Sequence, residues 1–297
     1  MSDDRVLDRV VPRQQKEWDI KGALNFMLGG AGAGLLVASP FAAALRADPR
    51  PFVALGMALV AGGLFAVWLK IGRPWRAFHV VRRPSTSWMT REALIAPFLF
   101  LAGALGVYTG APLFITLAAV LGAIYAYAQG RILKANIGIS AWRRWSCVAL
   151  IVVTALVEGI GIVAFSAPFW PSLAPLGFLL AATIVARYIA WTNYIADLRA
   201  TGAPKGTLEA FDLFAPRFLI LGHAAALIFA LIGAIGAYPA ALALGGAFAA
   251  VGGALFKYTL VCRAAFTQGF ALPRTPARGR SKPGPGLQPG WEPPKAN

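Results

Sequence analysis

One carboxylate lies among basic residues at the start of a long apolar stretch. Glu92 directly follows Arg91, and the segment before it contains Lys70 and Arg73. At a membrane boundary such a carboxylate is well placed to accept a proton from a quinol hydroxyl, as a general base. The structural alternative is that Thr90 caps a helix and Glu92 stabilises its first turn through the helix dipole. Both interpretations place Glu92 near the beginning of a helix.

Two other ionisable residues lie far inside apolar stretches. By helical rise, Glu158 is about 16 Å and Arg187 about 12 Å from the polar end of its helix. An isolated charge at that depth is unfavourable, so we expect Glu158 and Arg187 to form an ion pair. The pair either handles protons or is purely structural.

The end of the fourth apolar stretch carries a polar and aromatic stripe. Tyr127, Arg131 and Lys134 follow the spacing i, i+4, i+7, which puts them on one face of a helix. Many such stripes consist of aromatic residues at the membrane–water interface and of basic residues whose long side chains reach that interface. The same helix face can also contact a ligand. Asn25, about one turn into the first stretch, can hydrogen-bond a ligand carbonyl, and His223 can contact a ligand or a neighbouring helix.

The histidines and cysteines do not form a metal site. A transmembrane haem b usually needs two facing histidines, whereas His79 falls in a connection and His223 in an apolar stretch. The chain has two cysteines, Cys147 and Cys262, and an iron–sulfur cluster needs four ligands. The sequence therefore predicts no haem, no iron–sulfur cluster and no other metal in this chain.

Eight stretches of about 20 apolar residues organise the chain, and each is long enough to cross about 30 Å of hydrocarbon. They lie near residues 22–45, 51–69, 90–108, 111–128, 147–169, 173–195, 218–238 and 239–262. Hydrophobic residues make up 58% of the chain and charged residues 13%, which excludes an ordinary soluble domain. The predicted fold class is therefore all-α, a polytopic membrane protein with eight transmembrane helices.

The basic residues are distributed unevenly between the two sides of these helices. Of 28 Lys and Arg residues, only Arg46 and Arg50 fall in the connections after the first, third, fifth and seventh stretches. Because cytoplasmic loops retain Lys and Arg, we expect both termini in the cytoplasm. This topology, with contacts to anionic membrane lipid, accounts for the net charge of +16 without nucleic-acid binding. We divide the chain into a cytoplasmic segment 1–21, a membrane domain 22–263 and a disordered basic cytoplasmic tail 264–297.

Small residues in the first stretch predict close packing between helices. Gly30 and Gly34 stand four residues apart, which lets the backbone of another helix approach. The surrounding glycine run lacks the preceding strand and the spacing of a dinucleotide fingerprint. A flat glycine surface could also accept a planar ring.

Several motifs resemble those of one family of membrane subunits. Residues 69–78 (LKIGRPWRAF) and 86–92 (TSWMTRE) resemble the signature between the second and third helices of the membrane anchor subunits of dimethyl sulfoxide reductase-type molybdoenzymes. These anchors belong with the polysulfide reductase (NrfD-like) superfamily. Residues 130–142 (GRILKANIGISAW) form the second matching motif, and the likeness covers the eight-span plan over about 250 residues. The opening 15–19 (QKEWD) is similar to anchors of phenylacetyl-CoA:acceptor oxidoreductase, and sulfite dehydrogenase anchors look close too.

The resemblance implies a quinone or quinol site, for menaquinone or ubiquinone, at the edge of the anchor. It also implies two partners, a four-cluster ferredoxin-like iron–sulfur subunit and a molybdopterin catalytic subunit. Glu92 matches the acidic position of the family and is expected to be catalytic, whereas Lys70 stands where dimethyl sulfoxide reductase anchors carry a His. The quinone-binding residues expected from these arguments are Asn25, Lys70, Arg91, Tyr127, Arg131 and His223.

These expectations describe an oxidoreductase subunit of anaerobic electron transport in the cytoplasmic (inner) membrane of a prokaryote, enzymatic only within its complex. The alternative is a secondary transporter that binds substrate or proton at Glu158 and Arg187. The sequence has no visible inverted repeat and no matched pair of broken helices, which argues against a transporter. A passive scaffold is a third possibility, and the intramembrane charges argue against it.

Overall fold

Eight long apolar helices build the structure, a computed structural model that describes residues 12–70 and 84–269 and the backbone of 272–275 and 284–287. They are α1 (Ile20–Ala44), α2 (Arg50–Trp68), α3 (Trp88–Thr109), α4 (Pro112–Ala135), α5 (Trp145–Phe165), α6 (Leu176–Ala200), α7 (Lys205–Ile235) and α8 (Pro239–Arg263). Each is long and apolar enough to cross a membrane. This confirms the eight predicted membrane helices and the class of multi-pass membrane protein.

Helix α7 begins earlier than the sequence analysis predicts. It starts at Lys205 rather than near residue 218, because an amphipathic segment continues directly into the apolar stretch. Thr207 and Phe211 are buried on its inner face, while Glu209 and Asp212 are more exposed. The first turns of α7 therefore cover the end of the bundle before the helix enters the apolar region.

The beginning of α3 also differs from expectation. Its N-cap is Ser87, whose hydroxyl oxygen accepts a hydrogen bond from the Thr90 N–H at 3.3 Å. Thr90 is thus inside the helix rather than its cap. Glu92 consequently lies beyond the first turn, where the helix dipole contributes little.

Helices α1 and α5 form the centre of the bundle and pack directly against each other. A Cβ atom on Gly34 would collide with the Ala155 carbonyl, and one on Gly159 would collide with the Gly34 backbone. This contact confirms the predicted close packing at the glycine run. Helices α2, α3 and α4 surround one side of this centre, and α6, α7 and α8 the other.

The outer surface of the bundle is apolar. Large hydrophobic side chains point outward along several helices, among them Phe98, Leu101, Leu113, Ile228 and Ile235. In water such a surface would drive aggregation, whereas in a bilayer it contacts lipid chains. Membrane lipid is therefore the solvent for most of this surface.

The described segments before α1 and after α8 meet at one end of the bundle, which we call the termini face: the end where α1 begins and α8 finishes. Gln14 pairs with Phe266 in an antiparallel bridge, and the Thr267 N–H donates to the Arg13 carbonyl at 2.8 Å. Ala264 and Ala265 are fully buried. The packed structure therefore extends beyond the predicted boundary at residue 263. A two-stranded antiparallel hairpin follows, formed by Leu272–Thr275 and Gly284–Leu287, within the segment expected to be disordered.

Candidate functional site

A cavity of about 630 Å³ lies between α1, α2 and α3 near the termini face. Its volume falls in the range of about 300–1,000 Å³ that is usual for small-molecule sites. The lining consists of Trp18, Gly22, Asn25, Leu64, Phe65, Val67, Trp68, Lys70, Met89, Glu92, Ala93 and Ile132. Most of these side chains are apolar, so the three polar ones must orient any ligand. They are Asn25, Lys70 and Glu92.

Glu92 and Asn25 form a buried polar cluster in the cavity wall. Both residues are 5% exposed, and the Asn25 Nδ2 donates to the Glu92 Oε1 at 3.3 Å. The Gln129 Nε2 donates to the same oxygen at 3.3 Å and to the Asn25 backbone carbonyl at 2.8 Å. The Tyr125 hydroxyl lies beside both Glu92 and Gln129. Three side chains from α1 and α4 thus surround the carboxyl group of Glu92 on α3.

A π turn in α1 helps to place Asn25 in this cluster. The turn comprises Asn25–Gly29, after which the helix continues with α geometry. A π turn contains an extra residue and so rotates the preceding helical face relative to the following one. Asn25 can therefore face Glu92 while Gly34, further along α1, contacts α5.

Lys70 and Asp19 form an ion pair at the edge of the cavity. The Lys70 Nζ lies 3.3 Å from the Asp19 Oδ1, and both side chains are partly exposed. Asp19 also caps α1 by accepting hydrogen bonds from the Lys21 and Gly22 N–H groups. Desolvation raises the pKa of Asp19, but the hydrogen bonds from Gly22 and Lys70 outweigh it and hold the pKa below its ordinary value. Asp19 is therefore ionised at neutral pH and fixes the position of Lys70.

The structure places the other predicted quinone-binding residues away from this cavity. Arg91, Tyr127 and Arg131 lie together on the outer surface, where the guanidinium groups of Arg91 and Arg131 stack on Trp88. Tyr127 and Arg131 share α4 with Gln129, but two residues along a helix correspond to a rotation of about 200°. His223 lies on α7, in the other half of the bundle. Of the expected set, the cavity brings together Glu92, Asn25 and Lys70.

Gln129 and Tyr125 are functional candidates that the sequence analysis did not select. Their spacing of i and i+4 is the same as that of Tyr127 and Arg131. The spacing in the sequence therefore does not distinguish the pair Tyr125 and Gln129 from the pair Tyr127 and Arg131. A weak signal was available, because an amide on a lipid-facing surface would be unfavourable whereas Arg131 can reach the membrane boundary.

The predicted ion pair between Glu158 and Arg187 is wrong. The partner of Glu158 is Lys257 on α8, with 2.5 Å between Nζ and Oε2. The two side chains are 1% and 0% exposed, respectively. The sequence analysis did not select Lys257, which lies near the end of the last apolar stretch, yet α8 turns its side chain into the bundle towards α5.

Arg187 instead binds neutral groups between α6, α7 and α8. Its guanidinium donates to the carbonyl of Ala249 at 2.9 Å and to the carbonyl of Gly222. Its Nε donates to the His223 Nε2 at 3.3 Å, and the His223 Nδ1 is 2.9 Å from the Phe218 carbonyl. These contacts explain how an arginine with no exposed surface is accommodated within the bundle. They also assign His223 to a structural network rather than to the cavity.

The cavity cluster and the buried ion pair are neighbours across α1. A Cβ atom on Gly30 would collide with the Lys257 Nζ and would lie 3.1 Å from the Gln129 Oε1. Gln129 Oε1 and Glu158 Oε1 are buried and have no hydrogen-bond partner among the described residues. Polar groups therefore continue from Glu92 at the cavity to Glu158 in the middle of the bundle.

The residues present suit a quinone ring better than a metal. In the part of the chain that the structure describes, no group of three or more His, Cys, Asp or Glu side chains could hold a metal ion. The buried Asn25 Oδ1 has no hydrogen-bond partner in the described part of the chain, and it belongs to a residue of the cavity wall. An apolar cavity with an unpaired acceptor and a carboxyl group fits a flat ring that carries two hydroxyl or carbonyl oxygens.

No protein-family model matches the chain, and no curated protein matches it either. The fold and the cavity define a multi-pass membrane protein with a buried carboxyl site near one membrane boundary. Assignment of a function therefore depends on the chemistry of this site together with the motif resemblance.

Proposed function

We propose that the chain is the quinone-reactive membrane anchor subunit of a molybdopterin oxidoreductase complex. In this role it passes electrons between the membrane quinone pool and an iron–sulfur partner subunit. The observation that carries the proposal is the buried cluster of Glu92 and Asn25 in the wall of an apolar cavity of about 630 Å³. The resemblance of 69–78 and 86–92 to the anchor signature supports it independently.

Each polar residue of the cavity has a distinct role in the proposal. A bound quinol supplies two electrons and two protons, and the reverse reaction takes them up. Glu92 accepts or returns the proton of one quinol hydroxyl at its carboxyl group, and the Asn25 Oδ1 is available to accept a hydrogen bond from the other hydroxyl. Gln129 holds both groups in place through its amide. The surrounding apolar side chains exclude water from the ring.

The electrostatics of the cavity edge fit the same role. The ammonium group of Lys70 faces the cavity from the edge, held there by Asp19. In this sequence Lys70 thus supplies a fixed charge where related anchors use an imidazole.

The proposal also places the complex in the membrane. In this proposal both termini lie in the cytoplasm, as the distribution of Lys and Arg favours, and the chain lies in the cytoplasmic (inner) membrane of a prokaryotic cell, as the resemblance implies. The cavity lies near the termini face, so the iron–sulfur subunit would dock on that face, close enough for electron transfer. The molybdopterin subunit then binds the iron–sulfur subunit rather than the membrane domain.

Quinone binding by the purified chain tests the proposal. Trp18 and Trp68 line the cavity, so bound decylubiquinone or short-chain menaquinone should quench tryptophan fluorescence in a saturable manner. Asn25→Leu should weaken binding of the reduced form, the quinol, about five- to tenfold, because the hydrogen bond from its hydroxyl to the Asn25 Oδ1 is lost. Asn193→Leu is the matched control, since Asn193 is an exposed amide on α6. Equal affinity of Asn25→Leu and the wild type would exclude this cavity as the quinone site.

The ion pair of Glu158 and Lys257 favours one alternative, a secondary transporter with its site in the middle of the bundle. A double variant, Glu158→Gln with Lys257→Met, separates the two functions. The anchor should retain quinone binding, because the cavity lies closer to the termini face. A transporter should lose proton-coupled uptake of its substrate and bind no quinone at Asn25.

A further inference from the structure

The outer surface of the bundle carries a cluster of cations and aromatic rings, which we call the Arg131 cluster. The Arg131 guanidinium carbon lies 4.2 Å from the ring centroid of Trp88 and 4.7 Å from that of Trp145. Arg91 stacks on Trp88 at 4.1 Å, and the Lys134 Nζ lies 4.3 Å from the Trp145 ring. Residues from the ends of α3, α4 and α5 thus hold three positive charges together.

No carboxylate of the described residues neutralises these charges. None of Arg91, Arg131 and Lys134 takes part in a salt bridge within 4.0 Å. Arg131 donates to the Tyr127 hydroxyl at 2.6 Å, and Arg91 donates to the carbonyls of Pro84 and Ser85 at 2.8 Å each. These bonds fix the guanidinium groups and leave their charge free to attract an anion.

The position of the cluster on α4 indicates which anion it meets. Leu113, Leu117, Val120, Ile124 and Tyr127 follow one another at spacings of three and four residues, and their exposed fractions range from 37 to 71%. They form a continuous lipid-facing stripe along α4. The next two positions in the same spacing are Arg131 and Lys134. The cations therefore lie at the C-terminal end of the α4 stripe that contacts lipid chains.

We propose that the Arg131 cluster binds the phosphate of an anionic phospholipid from the leaflet at the termini face. The planar guanidinium of Arg131 can donate two parallel hydrogen bonds to one phosphate, with Arg91 and Lys134 adding charge. The acyl chains lie along the apolar stripe of α4, and Trp88 and Trp145 occupy the interfacial region beside the headgroup. Because the cluster is outside the cavity, the lipid site does not depend on quinone binding.

Native mass spectrometry of the full chain, purified in mild detergent, tests this site. Phosphatidylglycerol or cardiolipin should bind more tightly than phosphatidylcholine of the same chain length. Arg131→Gln combined with Lys134→Gln should lower the affinity for the anionic lipid about 20- to 30-fold, since each base near the surface contributes about a fivefold factor. The Lys134→Gln single variant, which changes only a partly exposed side chain, should show about a fivefold loss of affinity for the anionic lipid. It tests the site even where the double variant does not fold.

Lys205→Gln is the matched control. Lys205 is a base at the same end of the bundle and pairs with Glu209 on the first turns of α7. Its loss should leave lipid affinity unchanged, and an equal loss in this variant would show a general charge effect and overturn the specific site. Equal lipid affinity of the Arg131 and Lys134 variants and the wild type would also overturn it.

Two further experiments distinguish an anionic lipid from other ligands of the Arg131 cluster. Inorganic phosphate at millimolar concentration should not displace the lipid, and full displacement would identify a free-phosphate site instead. In the intact complex, the Arg131 and Lys134 variants should keep their soluble subunits. Release of a subunit with unchanged lipid binding would identify a protein-docking surface and contradict the proposal.

Discussion

Lys257 and Glu158 form an ion pair in the middle of the bundle, with 2.5 Å between the ammonium nitrogen and a carboxylate oxygen. The two residues lie on α8 and α5, which pack closely together, and almost none of either side chain is exposed. Lys257 also lies against Gly30 of α1, on the side where Gln129 approaches. One ion pair thus connects α8 to the central helix α5 next to the cavity cluster.

Removal of one partner of this pair should destabilise the protein strongly. Glu158→Gln and Lys257→Met should each reduce the free energy of unfolding by about 3–5 kcal/mol, because the remaining charge is left buried and unpaired. The double variant should recover part of this loss. Thermal unfolding in detergent measures the effect, and strictly additive losses would show that the two residues are not partners.

Glu92 should be required for reaction with quinol. In the assembled complex, Glu92→Gln should lower quinol-coupled turnover by a factor of about 10² or more, because the general base is lost. Reaction with an artificial dye that reaches the soluble subunits directly should be preserved. Turnover with quinol and turnover with the dye are both measured in the same preparation of membrane vesicles.

Glu209→Gln is the control for Glu92→Gln. Glu209 is an exposed carboxylate on α7, and its Oε1 lies 3.8 Å from the Lys205 Nζ. An exposed ion pair of this kind contributes little to stability, so the control should retain full turnover with quinol. Normal quinol turnover in Glu92→Gln would restrict Glu92 to a structural role.

The contact between α1 and α5 should not tolerate a methyl group. Gly34→Ala should destabilise the bundle by about 1–3 kcal/mol or more, because the new Cβ meets the Ala155 carbonyl and the two helices must separate. Gly62→Ala on α2 is the control, since its nearest neighbour would be the Leu28 Cδ1 at an ordinary 3.4 Å. Detergent unfolding curves compare the two variants, and equal stability would contradict the packing described for Gly34.

Both chain ends should lie in the cytoplasm. A reporter that is active only in the cytoplasm should be active when fused after Asn297, and one that is active only in the periplasm should be inactive there. When the reporters are instead fused at Ala47 or Asp48, in the connection between α1 and α2, the periplasmic reporter should be active and the cytoplasmic reporter inactive. A periplasmic C-terminus would reverse the orientation and move the proposed docking face to the other side of the membrane.

The eight spans were predictable because each membrane helix satisfies its own backbone hydrogen bonds and carries its own apolar surface. Both properties are local, so length and composition reveal them residue by residue. Glu92 and Asn25 were identifiable for a similar reason, since a polar side chain in an apolar stretch needs a partner or a function. The same argument found Glu158 and Arg187, although it did not find their partners.

The partners depend on how the helices rotate and which of them touch. Tyr127 and Arg131 match Tyr125 and Gln129 in spacing, and only the packing of α4 against α1 and α3 turns the second pair towards Glu92. Lys257 resembled a base near a helix end, and only the contact of α8 with α5 brings it to Glu158. Helix rotation and pairing arise from contacts between residues far apart in the chain, and no local pattern records them.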